Sequence, residues 1–94
     1  MELQLIQNEQ FKVRKTEYKG ETWFVGRDVA DILGYKNATS AITTHVEEDD
    51  RLTTEVNTPK GVRSTTIINE IGVYSLVLGS KLQAAKDFKR WICK

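Results

Sequence analysis

The chain has 94 residues, 39% hydrophobic and 29% charged, the composition of a soluble globular protein long enough to bury one core. Its net charge is only +1, and no apolar run approaches the ~20 residues that a membrane helix needs. The start MELQLIQNEQ lacks the basic head and apolar stretch of a signal peptide, and a single cysteine, Cys93, excludes an internal disulfide and fits a reducing, cytoplasmic setting.

Leu3, Leu5 and Ile6 begin a strand that the polar run from Gln7 to Gln10 interrupts. Phe11 to Glu17 then alternates, with Phe11 and Val13 on one side and Lys12 and Arg14 on the other. Tyr18-Lys19-Gly20-Glu21 is a turn in which glycine supplies a positive φ, and Thr22 to Val25 returns as the partner strand. Trp23, Phe24 and Val25 put bulk on both faces, which predicts a central strand covered on both sides, with Trp23 buried.

At Gly26 the period changes. Arg27 to Leu33 has helical spacing, with Val29, Ala30, Ile32 and Leu33 on one face and Asp28 in the first turn, where the helix dipole favours a carboxylate. Gly34 is a C-terminal stop, since glycine enters the left-handed region without a Cβ clash. After Tyr35-Lys36-Asn37, Asn37 caps a second helix from Ala38 to His45, with Ala41, Ile42 and Val46 inward and Thr39, Ser40, Thr43 and Thr44 outward. Two short helices joined by a glycine-containing turn form a helix-turn-helix candidate, with Ala30 as the small residue at the contact.

Glu47 to Asp50 is an acidic run just past a helix C-terminus, where it opposes the dipole, and it reads as a loop. Arg51 to Val56 and Val62 to Ile68 are β-branched strands separated by the turn Asn57-Thr58-Pro59-Lys60-Gly61. A hairpin directly after a helix-turn-helix is the arrangement of a winged helix, and Lys60 and Arg63 would lie near its tip. Asn69 caps a third helix from Glu70 to Leu78, with Ile71, Tyr74, Val77 and Leu78 expected inward and Gly79 closing it. Ser80-x-x-Gln83 has the form of a capping box. It would start a last helix with an apolar stripe of Leu82, Ala85, Phe88 and Ile92, a substantially buried Trp91, and Lys81, Lys86, Lys89 and Arg90 turned away. The last fifteen residues carry +4, and no stop signal precedes Lys94. The expectation is a single domain over residues 1–94 that forms the N-terminal module of a longer protein, with a frayed last turn and a reactive Cys93.

Little here resembles catalytic chemistry. His45 and Cys93 are one each of the soft ligands, whereas tetrahedral zinc wants four. Asp28 and Asp31 lie three apart on a helix, as a magnesium nuclease site would allow, but no lysine or histidine accompanies them in a recognisable catalytic string. No glycine-rich phosphate loop is present, and no cofactor is expected.

The segments WFVGRDVADILGY (23–35), AITTHVEEDDR (41–51) and INEIGVYSLVLGSKLQAAKDFKRWI (68–92) resemble the BRO-type N-terminal domain of phage antirepressors and large DNA viruses, in order and from Phe11 onward. The resemblance implies a DNA-associated, non-enzymatic module that usually precedes a separate C-terminal domain. Two departures stand out: Gly26 replaces a helix-friendly residue, and the family's last helix normally continues beyond the Phe88–Trp91 segment to end near a proline.

The expected fold is α+β: a small antiparallel sheet of hairpins, a helix-turn-helix-like pair of winged-helix type, and two C-terminal helices. For a double-stranded DNA partner, Lys36, Asn37, Thr39, Ser40 and Thr43 would meet the groove, and Arg27, Lys60 and Arg63 the phosphates. The rival reading is a module that binds a phage repressor protein, through the basic last helix or Tyr35, without touching DNA. A homodimer is compatible with either, and neither involves a membrane.

Overall fold

The computed structural model describes residues 1–92. In chain order the elements are β1 (Gln4–Gln7), β2 (Lys12–Tyr18), β3 (Glu21–Val25), α1 (Gly26–Ile32), α2 (Ala38–His45), a 3-10 turn (Glu48–Asp50), β4 (Arg51–Thr58), β5 (Gly61–Ile68), α3 (Glu70–Gly79) and α4 (Ala84–Ile92). The strands form one antiparallel sheet in the order β1-β2-β3-β5-β4, so β3 is central, as its bulk on both faces requires. Lys19 (φ 51°) and Gly20 (φ 79°) make the tight turn from β2 to β3, a geometry that matches the right-handed twist of the strands.

β3 pairs with β5 only through Phe24↔Ile68 and Val25↔Ile67. Beyond that point α1 leads the chain away, and the rest of the β4–β5 hairpin continues as a two-stranded ribbon as far as Thr58↔Gly61. Phe24, Val13 and Ile68 face the helices and join Val29, Leu33, Ile42, Val73, Leu76 and Phe88 in the main core. Alternation sends Trp23, Val25 and Ile67 to the other side, where Thr16 and Val56 are also buried. That side is closed by curling: the Asn57 amide donates to the Met1 carbonyl (2.9 Å), so the segment before β1 reaches the opposite edge strand. Trp23 is 7% exposed, its ring meets Tyr18 edge-on, and its Nε1 is buried without a hydrogen-bond partner among the described residues.

The helix pair is built as the sequence indicates. Gly34 (φ 86°) ends α1, its amide donating to Asp31 and the Tyr35 amide to Ala30, the paired bonds of a Schellman motif. Asn37 Oδ1 accepts the Ser40 amide at the start of α2, and Asn69 Oδ1 accepts the Gly72 amide at the start of α3. Asp28 does more than meet the helix dipole. It accepts the Arg14 amide (2.9 Å), Nε (2.9 Å) and Nη2 (2.8 Å), taking the place of the ladder partner that β2 loses where β3 ends.

Four expectations need correction. The inward residues of α3 are Gly72, Val73 and Leu76, while Ile71 is 60% and Leu78 87% exposed. This helix is apolar on nearly every side, so its sequence does not fix its phase. Gly79 belongs to α3 with no positive φ, and a Cβ there would meet the Tyr35 hydroxyl and the His45 ring. Ser80 does not open a capping box. α4 starts at Ala84, Ser80 Oγ donates to the Leu33 carbonyl, and Leu82 is half-exposed beside Gly34. The acidic run is not an open loop: it makes a 3-10 turn whose Asp50 accepts from both the Asn69 amide and Nδ2 (each 3.1 Å). Trp91 is half-buried, stacked on Phe11 at 5.8 Å. The expectations for Cys93 and the final turn lie outside the described residues.

Candidate nucleic-acid interface

Because β5 leaves the sheet at Ile67, the ribbon stands apart from the helix pair and an open groove separates them. One wall is Arg27 and Asp31 of α1, Lys36 and Asn37 of the turn, and Thr39 and Thr43 of α2. The other is Lys60, Arg63 and the hydroxyl residues Thr53, Thr58, Ser64, Thr65 and Thr66 of the ribbon. Arg14, Val25, Ile42 and Arg51 also line it.

Of the eight residues expected from sequence, Arg27, Lys36, Asn37, Thr39, Thr43, Lys60 and Arg63 line this one groove. Ser40 does not; it is exposed on α2, with its amide given to Asn37. Asn37 keeps only part of its side chain for a ligand, because its Oδ1 caps α2. The Thr43 hydroxyl donates back to the Thr39 carbonyl (2.9 Å), leaving its lone pairs outward. Arg14 and Arg51 were not anticipated. Arg51 opens a strand of alternating pattern next to the acidic run, which in sequence masks it as one charge in a mixed cluster.

The electrostatics are one-sided. The lining holds Arg14, Arg27, Lys36, Arg51, Lys60 and Arg63 against one carboxylate, Asp31. Only Arg14 is neutralised, by the 2.8 Å pair with Asp28, whose hydrogen bond holds the guanidinium even more firmly protonated than usual. Among the described residues the other five form no ion pair. The acidic side chains of Glu47, Glu48 and Asp49 are exposed past the far end of α2 and do not line the groove. Asp28 is committed to Arg14, and among the described residues no group of three or more His, Cys, Asp or Glu gathers as a metal site would require. No helix among them is long and apolar enough to cross a membrane.

Residues 10–94 match the BRO family, N-terminal domain. An uncharacterised protein of Haemophilus influenzae is 35% identical over 74 residues, covering 79% of this chain and 37% of that protein. Putative Bro-N domain-containing protein 289L of invertebrate iridescent virus 6 is 29% identical over 104 residues, covering 92% of this chain and 25% of its own length. Uncharacterized Bro-N domain-containing protein L2 of Acanthamoeba polyphaga mimivirus is 33% identical over 93 residues, covering 87% and 38%. The chain thus spans well under half the length of these relatives. No solved structure matches. With the match running from β2 through the helix pair and the ribbon to the last two helices, the chain belongs to the BRO family by its N-terminal domain.

Proposed function

We propose that this domain binds double-stranded DNA in the groove between α2 and the β4–β5 ribbon, as the DNA-associated, non-catalytic module of an antirepressor-type regulator working in the cytoplasm of a bacterial host. The observation that carries the reading is the set of five cations, without an ion pair among the described residues, lining a groove with one carboxylate. A site built for a cation or an acidic surface to avoid would not be arranged this way; a phosphate backbone is its natural complement. The short hydroxyl and amide side chains of Asn37, Thr39 and Thr43 suit close approach to base edges and phosphate oxygens. Family membership supports the same reading.

Four rim cations, Arg27, Lys36, Lys60 and Arg63, bring three or four phosphate contacts within reach. Log affinity should then fall with log salt at a slope of roughly −2.7 to −3.6, about −0.9 per phosphate neutralised. Fluorescence anisotropy with labelled duplexes measures it. Lys60→Ala or Arg63→Ala should weaken binding to all sequences alike and reduce the slope by about one. So few contacts per domain give weak binding, and a homodimer or further chain would be needed for tight binding. A second reading, capture of a repressor protein, is favoured by the exposed Ile71 and Leu78 of α3. Absence of duplex binding at low salt, together with binding of a repressor, would replace the first reading with the second.

A further inference from the structure

Arg51 differs from the rim cations in its burial. It is the first residue of β4, half-buried, and lines the groove from the base of the ribbon. It stands opposite Ile68 and on the same ribbon face as Thr53 and Thr66, whose hydroxyls bond each other at 3.1 Å. Among the described residues its side chain makes one hydrogen bond, a long one, Nη1 to the Ile42 carbonyl at 3.4 Å, and that carbonyl already accepts the Val46 amide at 2.9 Å. The acidic neighbours do not neutralise it: Asp50 is given to Asn69, and among the described residues no carboxylate pairs with Arg51.

A guanidinium offers five N–H donors and stays charged at any ordinary pH. With one long bond to a carbonyl, most of the Arg51 donors are left for an anion to take. Arg14, which lines the same groove, has its carboxylate; among the described residues the Arg51 side chain has a single shared carbonyl. The groove lining around it mixes the hydroxyls of Thr53 and Thr66 with the apolar side chains of Val25 and Ile42.

We propose that Arg51 is the anchor of the groove, its planar fork receiving one phosphodiester group of the bound nucleic acid in a two-point hydrogen bond. Lys60, Arg63, Arg27 and Lys36 then act as rim charges that draw the backbone in. This rests on the DNA reading above, and it adds a division of labour: one contact that is geometric and partly desolvated, the others that are mainly charge. It also places one DNA strand between α2 and the ribbon, so that both elements touch the same backbone.

The test compares Arg51→Ala, Arg51→Lys and Lys60→Ala by anisotropy against duplexes of two unrelated sequences over a range of salt. Arg51→Ala should weaken binding to both by about tenfold or more, as loss of a charge-assisted bond does, and by more than Lys60→Ala. Its salt slope should fall by about one. Arg51→Lys should keep the parent slope yet recover only part of the affinity, because an ammonium retains the charge and loses the fork. All three should melt close to the parent: among the described residues the Arg51 side chain gives up only the long hydrogen bond to Ile42, and Lys60 is exposed and forms no ion pair. If Arg51→Ala binds like the parent while Lys60→Ala is weakened, the anchor is wrong and the DNA reading survives. If the parent itself binds no duplex at low salt, the DNA reading fails and the anchor with it. Should Arg51→Ala not fold, Arg51→Lys decides: full parental affinity overturns the anchor.

Discussion

At Gly72 a missing side chain sets the distance between three elements. A Cβ there would lie 3.0 Å from Ile68 Cβ, 3.1 Å from the Asp50 carbonyl oxygen and 3.2 Å from Val46 Cγ1. Alanine would gain about 1 kcal/mol of helix propensity. Against that, overpacking costs roughly 1–3 kcal/mol, and the neighbours here have little freedom to move. Ile68 is fully buried on β5, and the Asp50 carbonyl holds the Asn69 amide at 3.1 Å. Gly72→Ala is therefore expected to destabilise, by up to about 2 kcal/mol net, read as a lower urea midpoint at unchanged slope. A midpoint equal to or above the parent's would show that α3 can lift off the 3-10 turn at no cost. Local residue roles were legible in the sequence because their partners are local: Asn37 and Asn69 cap amides three residues on, and Gly34 ends a helix by its own φ. The roles of Gly72, Gly79 and Asp28 were not. Each is defined by an atom far along the chain, at Asp50, Tyr35 or Arg14.

Among the elements, α3 is where periodicity fails as a guide. From Ile71 to Leu78 only Tyr74 and Ser75 carry a polar atom and none is charged, so more than one phase fits. The glycine face wins because it lets the helix sit closest to β5 and the 3-10 turn, which buries Val73 and Leu76 and turns Leu78 outward. Leu76→Ala should cost about 2–5 kcal/mol, as core truncations do, whereas Leu78→Ser should stay within roughly 0.5 kcal/mol of the parent. Equilibrium denaturation of the two variants separates the phases, and a reversed order would restore the inward Ile71 and Leu78. The start of α4 departs from its sequence pattern for a related reason. Ser80 and Gln83 have the spacing of a capping box, but the Ser80 hydroxyl donates to the Leu33 carbonyl at 2.8 Å and accepts the Leu82 amide at 3.2 Å, so it ties a turn to α1 ahead of a helix that starts only at Ala84. α1, α2 and the ribbon were legible because there the apolar periods change sharply, at Gly26 and again at Arg51.

For the molecule as a whole, the charge count along the chain and the fold single out different places. The last fifteen residues hold the +4 excess, yet no residue of α4 lines the groove, and Lys89 instead lies over the Tyr74 ring at 5.6 Å. The groove collects its cations from β2, α1, the turn after it and both strands of the ribbon, segments that are each near neutral in sequence. Folding brings these cations together and leaves the exposed Glu47, Glu48 and Asp49 outside the groove, beyond the C-terminal end of α2. On a domain of net charge +1 this separation, not the total, would orient a polyanion. A phosphate backbone entering between α2 and the ribbon should be repelled at that acidic end. Replacing Glu47 and Glu48 with glutamine and Asp49 with asparagine, while keeping Asp50 for its bonds to Asn69, should leave the fold unchanged. Duplex affinity should rise severalfold near 10 mM salt, where the screening length is about 30 Å, mostly through faster association. The gain should shrink toward nothing near 1 M, where that length is about 3 Å. A gain that persists at high salt would mean direct contact instead of field. No gain at low salt would mean the bound DNA runs away from this end of α2, and the proposed path through the groove would have to be redrawn.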